Sequence, residues 1–384
     1  MKFEFATAQR IIFGPGAAKD IGKLSQQFGR QALLVCGSGA VSLEPVLISL
    51  AEAEMSVSQF KVTNEPEVAT ITAGLEVGKR GDCVVVIAVG GGSVIDTAKT
   101  IAALITNPGD IFDYLEVVGK GLPLANPSLP VVAVPTTAGT GSEVTRNAVI
   151  AVLEEKVKVS LRSPYLLPAI ALVDPEMTYS APLQVTAASG LDALTQNIEA
   201  YTTLAHNPMT DGLAREGIIR AGRSLRAAYD DGRNARARED MALASLFGGL
   251  SLANAGLGAV HGFAGVLGGM YNAPHGAICG RLLPAVMRAN IAALQSSGNL
   301  QGYLERYLDI SRILSGRPSA GVGTGIDWIE DTVELFQIKR LRDYGIKPED
   351  LDEIISKATS ASSMKKNPIV LSEGALRGIL AEAL

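Results

Sequence analysis

The run "VVVIAVGGGSVIDTAK" (84–99) constrains the fold more than any other stretch of this chain. Six apolar residues in a row, mostly β-branched, read as a strand buried on both faces. The run stops at Gly90, Gly91 and Gly92, and Ser93 is placed to cap the helix that "SVIDTAKTIAALIT" then predicts by its apolar spacing. A buried strand feeding a helix through glycine is the unit of a parallel, doubly wound sheet. The glycines allow close backbone approach, and the helix start offers unpaired N–H groups and a positive dipole end. Together they form an anion site at the carboxyl end of a strand, where open α/β sheets bind ligands. The spelling is neither a G-x-G-x-x-G fingerprint nor a P-loop.

The surrounding sequence extends this pattern. "QALLVCGSG" (31–39), "LPVVAVPTT" (129–137) and "AIALVDP" (169–175) are further buried-strand candidates. The third-strand exit, "PTTAGTGSEVT" (135–145), is crowded with small residues and hydroxyls and reads as a second lip of a nucleotide cleft; Lys158 could supply a cation. After residue 180 the strand signals fade, and long Ala/Leu/Gly-rich helical stretches follow at 211–230, 237–255 and 280–298. The expected organisation is therefore an α/β doubly wound domain at 1–180 and an all-helical domain at 181–384, with an exposed Gly/Ser-rich loop at 315–325.

Composition narrows the class. The chain has 384 residues, 47% of them hydrophobic, and a net charge of −5 with both signs scattered. No basic block suits a nucleic acid, and no basic amphipathic helix or unbroken apolar run suits a membrane. The start has no cleavable-signal pattern, so a cytoplasmic enzyme is the expectation. Cys36, Cys83 and Cys279 are odd in number and far apart, which fits buried structural thiols better than disulfides or a zinc site built on cysteine pairs.

The histidines carry the second chemical signal. There are three, and two of them, His261 and His275, lie fourteen apart in the uncharged "GLGAVHGFAGVLGGMYNAPHGAICGRLLP". Imidazole is a common metal ligand, and one carboxylate with two imidazoles leaves coordination positions open. Asp192, in "GLDALTQNIEAY", could be that carboxylate, with Gln196 one turn on along the same face. On local sequence alone, the capping box over Ser189–Asp192 is the preferred reading of that carboxylate. His206 precedes Asn-Pro, where it could cap helix carbonyls.

The chain resembles the iron-dependent (group III) alcohol dehydrogenase family. The motifs "RIIFGPG", "GGGSVIDTAK", "PTTAGTGSEVT", "ALVDPE", "GLDALTQNIEAY" and "HGFAGVLGGMYNAPHG" occur in that family's order over nearly the whole length. The resemblance implies an NAD- or NADP-dependent dehydrogenase with a divalent metal, Fe2+ or alternatively Zn2+, acting on small alcohols or aldehydes as a homodimer or larger homo-oligomer. It implies cofactor contacts at Gly91, Gly92, Ser93, Thr136, Thr137, Thr140 and Lys158. It also makes Asp192, His261 and His275 metal ligands and catalytic residues. Three positions depart from the family's pattern. Gln196 stands where a fourth ligand, a histidine, is usual; its amide oxygen is expected as a weak fourth metal ligand, the alternatives being that it orients a metal-bound water or that the site is metal-poor. Gly265 stands where many members have a histidine near the substrate. Gly37 stands where NAD-preferring members often carry an aspartate for the adenosine ribose, so a 2′-phosphate would meet no repulsion there. The implied alternatives are a metal-free oxo-acid reductase similar to maleylacetate reductases, and a nucleotide-binding protein without catalysis.

Overall fold

The computed structural model of the chain describes residues 2–39, 41–271, 273–298 and 301–384. Two compact units emerge: Ala6–Pro182, and Leu183–Leu384 together with the N-terminal residues through Phe5.

The first unit is built on a six-stranded parallel sheet of order β1-β8-β5-β4-β2-β3. Its strands are β1 (Arg10–Phe13), β2 (Gln31–Gly37), β3 (Ser56–Val62), β4 (Val85–Gly90), β5 (Val131–Pro135) and β8 (Ile170–Val173). A separate antiparallel hairpin pairs β6 (Asn147–Val152) with β7 (Val157–Arg162). The helices are α1 (Ile21–Ser25), α2 (Glu44–Glu52), α3 (Val68–Arg80), α4 (Gly92–Thr106) and α5 (Ile111–Tyr114).

The unbroken apolar strands are explained by cover on both faces. Leu33, Val35, Val86, Ala88, Val131 and Ala133 point into one core with Ile95, Ala98 and Ile101 of α4. Their alternates Ala32, Leu34, Val85, Ile87, Val132 and Val134 fill the other with Ile21, Val46 and Leu50. Period-two alternation thus serves two cores rather than a core and solvent.

Strand order reverses at β2, which has β3 on one side and β4 on the other. Such a switch point opens a crevice at the carboxyl ends of the strands. Gly37 closes β2, Gly90 closes β4, and the register sets Cys36 beside Val89 and Gly90 beside Pro135. The chain exits of β2, β4 and β5 therefore lie side by side.

The second unit is helical: α6 (Leu183–Thr202), α7 (Pro208–Asp230), α8 (Ala235–Ala255), α9 (Ala259–Tyr271), α10 (His275–Ser297), α11 (Gln301–Ser315), α12 (Val322–Leu335), α13 (Leu351–Ser360) and α14 (Glu373–Ala383). Helix α6 begins directly after Pro182, well before Gly190. Asp192 is thus mid-helix and the capping-box reading does not apply; Ser189 instead turns its hydroxyl back to the Val185 carbonyl, 2.6 Å away. The loop expected at 315–325 is shorter, because helix resumes at Val322 and Gly325 packs against Ser311. By length and composition α10 could cross a membrane, although no unbroken apolar run marks it. Arg281 and Arg288 interrupt it, and 72% of its most apolar window is buried inside the protein.

Candidate active site: a metal cluster and a phosphate-type cradle

Three helices deliver the four side chains of the cluster. Asp192 lies mid-way along α6, His261 in the first turn of α9, and His275 at the first position of α10. Cys279, one turn after His275, occupies the same face of α10. One ligand atom from each of the four lies within 4.8 Å of the others. Asp192 Oδ1 is 3.3 Å from His261 Nε2 and 3.8 Å from His275 Nε2. The Cys279 sulfur is 3.8 Å from His261 Nε2 and 3.6 Å from His275 Nε2.

Close helix approach makes this possible. A Cβ on Gly276 would stand 2.1 Å from the Ala188 carbonyl oxygen and 3.1 Å from the Asp192 Cβ, and one on Gly280 would stand 2.6 Å from Leu191. Two glycines four apart let α10 lie directly on α6.

Asp192 is 2% exposed, yet its Oδ1 makes no well-aligned hydrogen bond: the neighbouring imidazoles are near enough for ion pairing but off the hydrogen-bond direction. A buried carboxylate oxygen aimed at two imidazole nitrogens and a sulfur is a donor set that fits a divalent metal. Burial pushes the Asp192 carboxyl up, but the adjacent His261 and His275 imidazoles outweigh it, so the net shift is downward. Burial likewise disfavours both imidazolium forms. The Cys279 sulfur and the Asp192 carboxylate more than offset this, leaving His275 raised and His261 raised further.

Gln196 is also buried, and its amide hydrogen-bonds Asp192. Its carbonyl oxygen lies against α8, where a Cβ on Gly248 would come within 3.1 Å of it.

Sequence alone did not mark Glu199, which supports the cluster from below. It is one more turn along the Asp192–Gln196 face of α6, and that i, i+4, i+7 spacing is the signal that could have found it. One Glu199 oxygen accepts the Val260 N–H at 2.7 Å; the other accepts the His261 backbone N–H at 3.3 Å and lies 2.7 Å from His261 Nδ1. The Ala259 N–H is taken by Asn367 at 3.1 Å. Acceptors thus cap the positive end of α9, and Glu199 holds the Nδ1–H tautomer that leaves Nε2 facing the cluster. His206 is elsewhere: it pairs with Asp211 at 3.2 Å and touches Arg306 at 2.9 Å, rather than capping helix carbonyls.

In the first unit, the two turns expected to hold phosphate meet. A Cβ on Gly92 would stand 2.7 Å from Thr140, and one on Gly91 would stand 3.2 Å from Thr137. The Thr136 N–H bonds the Gly90 carbonyl at 3.0 Å. The helix cap is Gly91, not Ser93: Gly91 is extended, its carbonyl accepts from Val94 and Ile95, and no side chain caps the turn. Ser93 therefore sits inside the first turn of α4. Gly37 is beside it, since a Cβ there would lie 3.6 Å from Val94. Lys158 is not brought to this turn by any contact among the described residues; it stands on the hairpin strand β7, paired with Glu65 at 3.3 Å.

A buried ionic cluster, unmarked by sequence except as charges in an apolar helix, staples the cradle. Lys99 is fully buried; its Nζ reaches the Ser142 and Thr145 carbonyls at 3.0 and 3.2 Å, the Thr145 hydroxyl at 3.1 Å and Asp96 at 3.4 Å. Asp96 in turn accepts the Val149 N–H at 2.9 Å. Helix α4 is thereby fixed to the second loop and to the hairpin. Burial raises Asp96 and lowers Lys99.

The same burial lifts Glu143 from 4.5 to about 7. A raised carboxyl keeps its proton in the fold where the unfolded chain has lost it. Its contribution to stability is therefore complete below about pH 4.5 and is lost as pH rises through about 7. Glu143→Gln should abolish that loss. Chemical denaturation should show wild type losing about 3 kcal/mol more than the variant between those limits and about pH 8, at roughly 1.4 kcal/mol per pKa unit; parallel pH profiles would contradict the assignment.

Residues 8–175 match the family described as iron-containing alcohol dehydrogenase, and residues 186–384 match the C-terminal domain of that family. Alcohol dehydrogenase 4 of Saccharomyces cerevisiae is 35% identical over 385 residues, covering 97% of this chain and 96% of that protein. The NAD-dependent methanol dehydrogenase of Bacillus methanolicus is 33% identical, covering 97% of each. The crystal structure of a 1,3-propanediol oxidoreductase superposes with a TM-score of 0.90 at 34% identity, covering both chains fully.

Proposed function

The chain belongs to the iron-containing alcohol dehydrogenase family, and on that premise we propose that it interconverts short, neutral alcohols with their aldehydes or ketones, using Asp192, His261 and His275 to hold the metal. It is an oxidoreductase acting on CH–OH groups, of a family that uses iron and nicotinamide cofactors. The observation that carries the reading is the buried Asp192 oxygen converging with two imidazoles in a chain that matches the family throughout.

When bound, the metal supplies Lewis-acid polarisation of the substrate oxygen and the nicotinamide supplies hydride chemistry. The protein's own contribution is positional. Asp192 brings the negative charge that offsets a cation in a buried site. Glu199 fixes the donor face of His261. Gly91, Gly92 and Ser93, with Thr136, Thr137 and Thr140 across the turn, offer N–H and hydroxyl donors to the cofactor's phosphates. Lys158 serves the cofactor in this reading only by exchanging Glu65 for it. Gly265, one turn after His261, has open space around its Cβ position, which supports room for a substrate beside the metal ligands. Two relatives, named for methanol and 1,3-propanediol, support small uncharged substrates, while others are named for choline and sulfoacetaldehyde. We place the enzyme in the cytoplasm as a homodimer or larger homo-oligomer. β1 supports the assembly, being a sheet edge with Ile11 exposed; light scattering on the purified chain checks it.

A panel of C1–C4 alcohols and aldehydes assayed with both cofactors tests the activity; cofactor binding without turnover of any would defeat it. The same assay tests Gly37. Wild type should use NADH and NADPH within about tenfold of one another. Gly37→Asp, whose Cβ would meet nothing closer than Val94 at 3.6 Å, should lower kcat/KM for NADPH at least tenfold relative to NADH, since about 1.4 kcal/mol of charge repulsion suffices. A strong NADH preference in wild type would contradict the reading of Gly37.

A further inference from the structure

We propose that Cys279 is the fourth metal ligand of this chain, so that the donor set is Asp192, His261, His275 and the thiolate of Cys279, with Gln196 acting as hydrogen-bond donor to Asp192. The proposal rests on the dehydrogenase reading for the presence of a metal; the identity of the fourth donor is argued from geometry alone.

With metal–nitrogen and metal–oxygen bonds of about 2.0–2.1 Å and a metal–sulfur bond of about 2.3 Å, a tetrahedral site has donor separations of about 3.4 Å between N and O and about 3.6 Å between S and N. The separations here are 3.3 and 3.8 Å from Asp192 Oδ1 to the two imidazoles, and 3.6 and 3.8 Å from the sulfur to the same nitrogens. Four of the six edges of such a tetrahedron thus already have about its lengths, and the other two donor pairs lie within 4.8 Å. The second observation is the Asp192 oxygen, buried, without an aligned hydrogen bond, and facing the space these donors enclose.

Cys279 is itself fully buried and is placed by the α10 turn that starts at His275, so the two ligands share one rigid element. Gln196 presents its amide to Asp192 while its carbonyl oxygen sits on the α8 side. A neutral amide is also the weaker donor for a borderline-soft ion than a thiolate, which favours zinc and cobalt over hard cations. Zinc with four protein donors can still add a fifth ligand, so the set is compatible with catalysis.

The test uses the 384-residue chain freed of metal and reloaded with Co2+. A thiolate ligand gives an intense sulfur-to-cobalt charge-transfer band in the near ultraviolet; oxygen and nitrogen donors do not. Wild type and Gln196→Ala should both show the band. Cys279→Ser should lose it and bind Zn2+ at least tenfold more weakly in a competition titration, with its melting temperature reported alongside. The wild-type spectrum stands without any variant. Stoichiometric Co2+ with no such band overturns the proposal and leaves the dehydrogenase reading intact. Loss of the band in Gln196→Ala with retention in Cys279→Ser also overturns it. The band without any alcohol turnover overturns the dehydrogenase reading and upholds the ligand assignment.

Discussion

Gly276→Ala is expected to lower turnover by about 100-fold or more and to weaken metal binding, although one methyl group is all that changes. The added carbon would stand 2.1 Å from the Ala188 carbonyl oxygen and 2.7 Å from its carbon, and both are backbone of the long helix α6. Neither atom can rotate away, so α10 must shift. His275 and Cys279 travel with α10, whereas Asp192 stays with α6. A displacement near 1 Å in a site of this kind costs about 100-fold in rate, and the overpacking itself costs about 1–3 kcal/mol of stability. Gly378→Ala is the control: it lies in α14 with nothing within 4 Å of its Cβ position, and helix propensity should make it neutral or stabilising by about 0.5–1 kcal/mol. Equal activity of the two variants would show that the α6–α10 approach does not set the site.

Glu199→Gln is expected to lower metal affinity by about 10–100-fold while leaving the fold intact. The amide oxygen can still accept the Val260 N–H. The amide nitrogen then faces the His261 backbone N–H and Nδ1, where the carboxylate oxygen stood at 3.3 and 2.7 Å. The ring must turn Nδ1 into an acceptor, which puts its proton on Nε2 and removes that nitrogen as a ligand. Glu199→Ala does more: it strands the first N–H groups of α9 in a buried position, at a cost of about 3 kcal/mol. Metal titration separates the two effects, because Gln should lose affinity with little loss of melting temperature, and Ala should lose both. Unchanged affinity in the Gln variant would remove Glu199 from the account.

What could be read from sequence follows from scarcity and local pattern. His261 and His275 stand out because histidine is rare in this chain and two of the three occur together among apolar residues, whereas Asp192 stands out as a ligand only through the family resemblance. The glycine turn after β4 was visible because strand, turn and helix are contiguous. Glu199 and Cys279 were harder, since their importance arises only when α6, α9 and α10 pack, and a cysteine among alanines and glycines reads as filler. Asp96 and Lys99 stand in the sequence only as two charges in an apolar helix, because the hairpin β6–β7 that buries them, being half exposed, gives no buried-strand signal. The start of α6 was misplaced because Ser189 and Asp192 imitate a cap that the preceding turns of helix make unnecessary.

A metal held by Asp192 and its two histidines is what we propose carries this chain's oxidation of short alcohols. The most direct measurement follows nicotinamide absorbance with a responsive alcohol in native, chelated and metal-restored protein, beside Asp192→Asn with cofactor binding measured separately. The expected result is loss of turnover on chelation, recovery with Zn2+ or Fe2+, and an inactive Asp192→Asn that still binds cofactor. Undiminished turnover by protein verified to be metal-free would contradict it.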